Sequence, residues 1–241
     1  WSKPLGLLYL ASELRRKGFT IHLMDCMDVD YPAMVGCSSL KPPKRRQYGT
    51  GKFWRQIVSK PAPLGKTERP YSRYGLLPEI FEEALGRVKN PSAILVTSLM
   101  TYWYPGVQEA IGRARKVHPE VPVILGGIYA RLCEGHAIRY SGADTVVSEQ
   151  GIPGITEVLK KHGIAIPDEK PDSALPDYPA FDLLTKIHYI CLMTSTGCPF
   201  QCHYCASHFL FPRFFQRDPG EVLEEIIFWH TKWGIRDFAF Y

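Results

Sequence analysis

AILVTSLMTYWYPGVQEAIGRARKVHPEVPVILGG, residues 93–127, decides the fold class. Ala93–Ser98 is a continuous apolar run, the mark of a strand buried on both faces. Pro105–Val117 then repeats apolar residues at helical spacing through Val107, Ala110, Ile111 and Ala114. Val121–Gly127 is a second apolar run, closed by two glycines. Strand, helix and strand in that order make a βαβ unit, and successive units imply a parallel sheet.

The alternation continues in both directions. Downstream, the pattern predicts a helix near Ala130–Tyr140, a strand over Ala143–Ser148 and a helix from about Pro153 to Lys161. Upstream, Pro78–Val88 carries a stripe of Leu77, Ile80, Phe81, Ala84, Leu85 and Val88. Residues 5–17 place Leu7, Leu10 or Ala11, and Leu14 on one helical face, with Gly18 as the stop and Phe19–Asp25 as a β-type run. Right-handed crossovers make this an open, doubly wound sheet, and its helix-first order puts a first strand upstream of Trp1. Ligands of such sheets sit beyond the carboxyl ends of the strands: here Asp25–Asp28, Thr97–Tyr104, Gly126–Arg131 and Ser148–Gly151.

Composition sets the outer bounds. With 241 residues, 45% hydrophobic and 22% charged, the chain can bury a core and is too apolar for a disordered segment. No apolar run reaches the ~18 residues of a membrane span. Seven unevenly spaced cysteines argue against a disulfide scaffold and for a reducing, cytoplasmic setting. The net charge of +5 is uneven. Residues 41–75 hold ten Lys or Arg against one Glu, a net +9, and the other 206 residues carry −4. This basic insertion interleaves Tyr48, Phe53, Trp54, Tyr71 and Tyr74, a mixture that can grip nucleic acid. Its place after the second strand favours a lid or docking loop over the ligand edge.

Residues 163–187, with four prolines and little periodicity, read as a linker between residues 1–162 and 188–241. His188–Thr196 then reads as a strand, Pro219–Trp233 as a helix with Val222, Leu223, Ile226, Ile227 and Trp233 on one face, and Ile235–Tyr241 as another strand.

The chemistry lies between that strand and helix. TGCPFQCHYCAS sets Cys198, Cys202 and Cys205 at C-x3-C-x2-C spacing. Thiolates favour zinc or iron–sulfur centres. Structural zinc takes four ligands, usually as two close pairs, and no second C-x2-C exists here. Three ligands on a four-iron cubane leave one iron open to a substrate. A zinc-bound or unmetallated loop is the other reading. Cys191, Cys26, Cys37 and Cys133 read as small core residues. The eight histidines form no H-x3-H or H-E-x2-H pattern.

TSTGCPFQCHYC, with an aromatic residue at Tyr204 before the last cysteine, resembles the signature of the radical S-adenosylmethionine (SAM) superfamily. Thr196 departs from it, since an Arg often stands there. The resemblance implies that Cys198, Cys202 and Cys205 hold a 4Fe–4S cluster whose open iron takes SAM, with Tyr204 at the SAM site. Reductive cleavage of SAM would give methionine and a 5′-deoxyadenosyl radical, with the electron from an external flavodoxin or ferredoxin.

The upstream region resembles the cobalamin-binding module of a large subgroup, through PLGLLYLASELRRKGFTIHLMD and GADTVVSEQGIPGITEVL. The resemblance implies a flavodoxin-like domain followed by the first β/α units of a partial TIM-type barrel. Thr97, Ser98, Leu99, Gly126 and Gly127 would border the cobalamin tail; alternatively, the glycines only turn the chain. Trp103 and Tyr104 would touch the corrin ring or fill an apolar layer. No Asp has a His two residues later, so the D-x-H-x-x-G motif is absent. Aligning Gly6 with its glycine puts Lys3 where the histidine ligand stands. Relatives of this kind are often methyltransferases acting on a small molecule or peptide. A rearranging or cyclising radical SAM enzyme and, from another class, a zinc-stabilised nucleic-acid-binding protein are the alternatives; the reading disfavours nucleic acid as a partner.

Overall fold

A computed structural model describes residues 3–149, 152–167 and 177–241. The linker expected at 163–187 and the strand end expected at Ser148–Gly151 therefore lie partly outside the described residues.

Helix α1 (Leu5–Arg16) buries Leu8, Ala11 and Leu14 and ends on Arg15 and Arg16, cations suited to a helix carboxyl end. Leu8 rather than Leu7 is the buried leucine of the first turn, because Leu8 packs on Phe181 and Ile190 of the carboxyl-terminal unit. Arg15 adds two bonds to the Asp182 carboxylate, at 2.9 and 2.7 Å. One core therefore spans α1 and the second unit.

Phe19–Asp25 corrects an expectation: it has no helix, turn or bend, but joins no ladder among the described residues. After α2 (Pro32–Val35), the basic insertion is built rather than loose. Its strands β1 (Arg55–Ile57) and β2 (Ser72–Tyr74) form an antiparallel hairpin. Trp54 is buried with Met34 and Leu76, and its indole N–H donates to the Val29 carbonyl at 3.0 Å. The insertion's cations remain mostly exposed around that small core.

Next come α3 (Pro78–Gly86), β3 (Ile94–Ser98), α4 (Tyr104–Val117), β4 (Val123–Gly126), α5 (Gly127–Leu132), α6 (Glu134–Tyr140), β5 (Thr145–Val146) and α7 (Ile152–Lys161). The three strands form a parallel sheet in the order β3-β4-β5. Alternate residues bury opposite faces. Val123 and Leu125 pack with Val107 and Ile111 of α4. Ile124 packs with Leu14, Ile155 and Leu159 of α1 and α7. The single helix read near Ala130–Tyr140 is two, parted where Cys133 leaves helical backbone at φ −132° and ψ 43°.

In the second unit, β6 (Ile190–Leu192) and β7 (Ser195–Thr196) replace the one strand read over 188–196. The remaining elements are α8 (Ser207–Leu210), β8 (Phe215–Gln216), α9 (Pro219–Trp233) and β9 (Phe238–Phe240). Parallel pairing of β6 with β9 across α9 makes a second βαβ unit. Helix α9 has the predicted bounds. Asp218 caps it by accepting from the N–H groups of Gly220 and Glu221, and Gly234 ends it at φ +65°. Its buried face differs from the expected one: Val222, Glu225 and Trp229 are inside, whereas Leu223 and Ile227 are more than half exposed. Among the described residues no helix is long and apolar enough to cross a membrane.

Candidate functional site

The cysteine loop leaves the carboxyl end of β7 and is pinched at its neck. β7 pairs antiparallel with β8, so residues 197–214 project as a closed excursion. Gly197 sits at φ +78°, and a Cβ there would lie 2.4 Å from the Arg213 carbonyl oxygen. Only glycine permits that approach. Behind the neck, the Arg217 N–H bonds the Thr194 carbonyl at 2.9 Å. The Arg217 guanidinium reaches the Met193 carbonyl at 3.0 Å and the buried Glu225 carboxylate at 2.7 Å.

Cys198 and Cys202 are exposed, Cys205 is half-buried, and none is in a disulfide. The Cys205 N–H bonds the Cys202 carbonyl at 3.0 Å, so these two share a turn. Ser207 Oγ lies 3.1 Å from Cys205 Sγ, and its hydrogen bond holds that thiol below the ordinary cysteine value. Among the described residues no three His, Cys, Asp or Glu side chains are gathered as a metal-ion site. The donor set is nonetheless the kind an iron–sulfur centre takes: three uncombined thiols on one short, solvent-reachable loop. Phe200, Phe209 and Tyr204 stand 72%, 67% and 93% exposed around it, an uncovered aromatic surface.

The residues expected at the sheet edge do come together. Thr97 is in register with Gly126, and Ser98 bridges Gly127, so the ends of β3 and β4 lie side by side. The buried Ser98 hydroxyl donates to the Met100 carbonyl at 2.8 Å and thereby shapes the turn through Leu99. Gly127 has φ +85°, and a Cβ there would lie 2.1 Å from Thr97 Oγ1. Packing and backbone alone thus explain Gly127. Gly126, at φ −132° with its nearest neighbour 4.0 Å away, is left unexplained by packing. Gly127→Ala is expected to lower the unfolding free energy by about 1–3 kcal/mol in urea titration. Adding Thr97→Ala should return the contact part of that loss and leave the backbone part.

Tyr104 packs against His136 with ring centroids 4.8 Å apart and belongs to an aromatic layer with Tyr129. Lys3 Nζ lies 5.9 Å from the Tyr189 ring centroid. Cys191 is buried as expected, but Cys26 is exposed and Cys37 and Cys133 are half-buried, because all three sit in loops or at helix ends.

Sequence reasoning placed Arg131 at the ligand edge Gly126–Arg131 but missed the contact that it makes. It follows the two glycines on α5 and donates to the Phe209 carbonyl at 2.9 Å and to the Leu210 carbonyl. This joins the carboxyl edge of the sheet to the end of α8, directly after the cysteines. A lone Arg in a short helix carries no sequence signal for such a contact. Arg131→Met should leave the urea midpoint nearly unchanged but raise amide exchange across residues 198–211, because only the loop loses its anchor.

No protein-family model matches the chain, and no solved structure matches it. The chain is 31% identical over 122 residues to the uncharacterized methyltransferase sll1242 of Synechocystis sp. (strain ATCC 27184 / PCC 6803 / Kazusa). The match covers 46% of this chain and 22% of that protein. The chain therefore spans about a fifth of the length of this relative.

Proposed function

We propose that this chain forms part of a cobalamin-dependent radical SAM enzyme that transfers a methyl group to an unactivated centre of a small molecule or peptide. One observation carries the reading: a three-cysteine loop at the head of a parallel βαβ unit is held by Arg131 against the carboxyl edge of a parallel three-stranded sheet. That arrangement brings two candidate cofactor edges together. The name of the matched relative adds a hint of methyl transfer.

In this reading Cys198, Cys202 and Cys205 hold the 4Fe–4S cluster through their thiolates, and the lowered Cys205 thiol favours its binding form. When bound, the cluster supplies the low-potential electron that cleaves SAM. Tyr204 offers its exposed ring to SAM. The Thr97–Leu99 turn and Gly126 border the cobalamin tail, and the vacant Cβ position of Gly126 gives it room. Arg131 keeps the loop and the sheet edge in one orientation. Lys3 occupies the aligned position of the missing histidine, so the protein supplies no imidazole to the cobalt.

Anaerobic reconstitution with iron, sulfide and hydroxocobalamin tests the proposal. The expected product holds about four irons per chain and retains a corrinoid whose cobalt(II) spectrum lacks nitrogen splitting from a protein ligand. One bound zinc with no iron, or iron without corrinoid, would overturn respectively the radical SAM and the cobalamin part.

A further inference from the structure

Serine at a helix start ordinarily accepts from a backbone N–H. Ser207, the first residue of α8, has a different partner: its Oγ lies 3.1 Å from Cys205 Sγ. A thiolate carries no proton, so once Cys205 serves as a thiolate ligand only the Ser207 O–H can donate in this contact. Among the described residues Cys205 is the one of the three loop cysteines whose sulfur has a side-chain hydrogen bond.

The contact by itself is local. Cys37 and Ser39 make the same Cys-x-Ser contact at 3.0 Å in the loop after α2, where no second cysteine stands near in sequence. What sets Ser207 apart is its anchorage. Cys205 is half-buried, whereas Cys198 and Cys202 are exposed. The turn that carries Ser207 is closed by the Leu210 N–H on the Ala206 carbonyl at 3.1 Å and by the Phe211 N–H on the Ser207 carbonyl at 2.7 Å. Arg131 grips the far end of that turn through the Phe209 and Leu210 carbonyls, groups that a helix end leaves without intrahelical partners. The hydroxyl is therefore held from the sheet, through α5 and α8, and not by the cysteine loop alone.

We infer that Ser207 is a positioning residue for the iron–sulfur centre: its hydroxyl donates to the Cys205 sulfur and raises the reduction potential of the cluster held there. The inference rests on the proposed cluster and goes beyond it by naming the group that sets the potential. One-electron reduction adds negative charge to the sulfurs. A donor on one of them therefore stabilises the reduced form more than the oxidised form.

The test reconstitutes the parent chain, Ser207→Ala and Ser207→Thr anaerobically with iron and sulfide. Each is titrated with a one-electron reductant while electron paramagnetic resonance follows the reduced signal. All three should hold the same amount of iron. Ser207→Ala should shift the reduction equilibrium about tenfold against the reduced form, ~59 mV more negative for a one-electron couple. Ser207→Thr keeps the hydroxyl and should stay with the parent. In heavy water, electron–nuclear double resonance of the reduced parent and of Ser207→Thr should show an exchangeable deuteron coupling that Ser207→Ala lacks. A merely structural role gives the opposite shift, because water admitted to the half-buried sulfur favours the more highly charged reduced form. An unchanged or raised potential in Ser207→Ala, or the same deuteron coupling in all three, would overturn the inference and leave the cluster reading standing. Loss of iron from Ser207→Ala alone would also overturn it, by making the hydroxyl an assembly group. A parent chain that takes up no iron would instead overturn the cluster reading, and this inference with it.

Discussion

Replacing Cys198, Cys202 or Cys205 with alanine is expected to reduce iron incorporation on anaerobic reconstitution to background, whereas Cys191→Ala should incorporate iron like the parent chain. The contrast rests on placement. Cys191 is 1% exposed within β6 and packs among Ile190, Leu192 and Phe181, so its sulfur cannot reach a loop-borne centre. The other three thiols lie on one loop that carries no fourth cysteine. Removing one leaves two ligands, too few to keep a cubane from dissociating in solvent. Iron and sulfide assays with the charge-transfer absorbance of the reduced and oxidised samples read this directly. Retained iron in any two of the three variants would remove the cluster from this loop. Cys191→Ala also creates a small void, so its folded state should be confirmed by thermal unfolding in parallel.

Arg217→Met is expected to be the most damaging single substitution for stability, at about 3–5 kcal/mol near neutral pH. Glu225 is 1% exposed, and Arg217 Nη1 at 2.7 Å is its ion-pair partner. Burial pushes the Glu225 carboxyl above its ordinary value, and the guanidinium offsets part of that rise. Without Arg217 the carboxyl rises further, and the folded state holds a proton that the unfolded chain releases near pH ~4.3. A raised folded value places the contribution below the unfolded value and removes it as pH rises. The variant should therefore be closest to the parent at acid pH and fall away from it as pH increases through the raised value. The shift in Tm near neutrality is on the order of 10 °C for a chain of this size. Glu225→Gln in the same background removes the stranded charge and should restore most of the loss. A pH-independent deficit would show that Arg217 acts through the Met193 carbonyl and loop packing instead.

The parallel α/β character was legible because its signals are local. Three features needed no tertiary information: the double-sided apolar run Ile94–Ser98, the amphipathic α4 and the glycine-closed β4. Helix α9 was legible to the residue for the same reason, since Asp218, Pro219 and Gly234 punctuate it chemically. The cysteine spacing likewise put three thiols on one loop without a structure.

What the sequence alone could not decide were the choices made by distant partners. Which face of α9 is buried depends on Arg217, which lets a carboxylate occupy the interior where Leu223 or Ile227 was expected. Whether Phe19–Asp25 is a paired strand depends on a neighbour in space, and periodicity carries no record of an occupied edge. Arg131 against the Phe209 carbonyl is a contact between chain segments that meet only where the sheet lies against the cysteine loop, and Gly197 against Arg213 forms only where β7 and β8 close the neck of that loop. The sequence by itself determined the longer helices, the buried strands of the parallel sheet, their alternation and the three-cysteine loop, because propensity, apolar periodicity and capping act over a few residues. Only the tertiary structure decided which edges are paired, which charges are buried and which two ends face each other, because those outcomes depend on groups brought together from far along the chain.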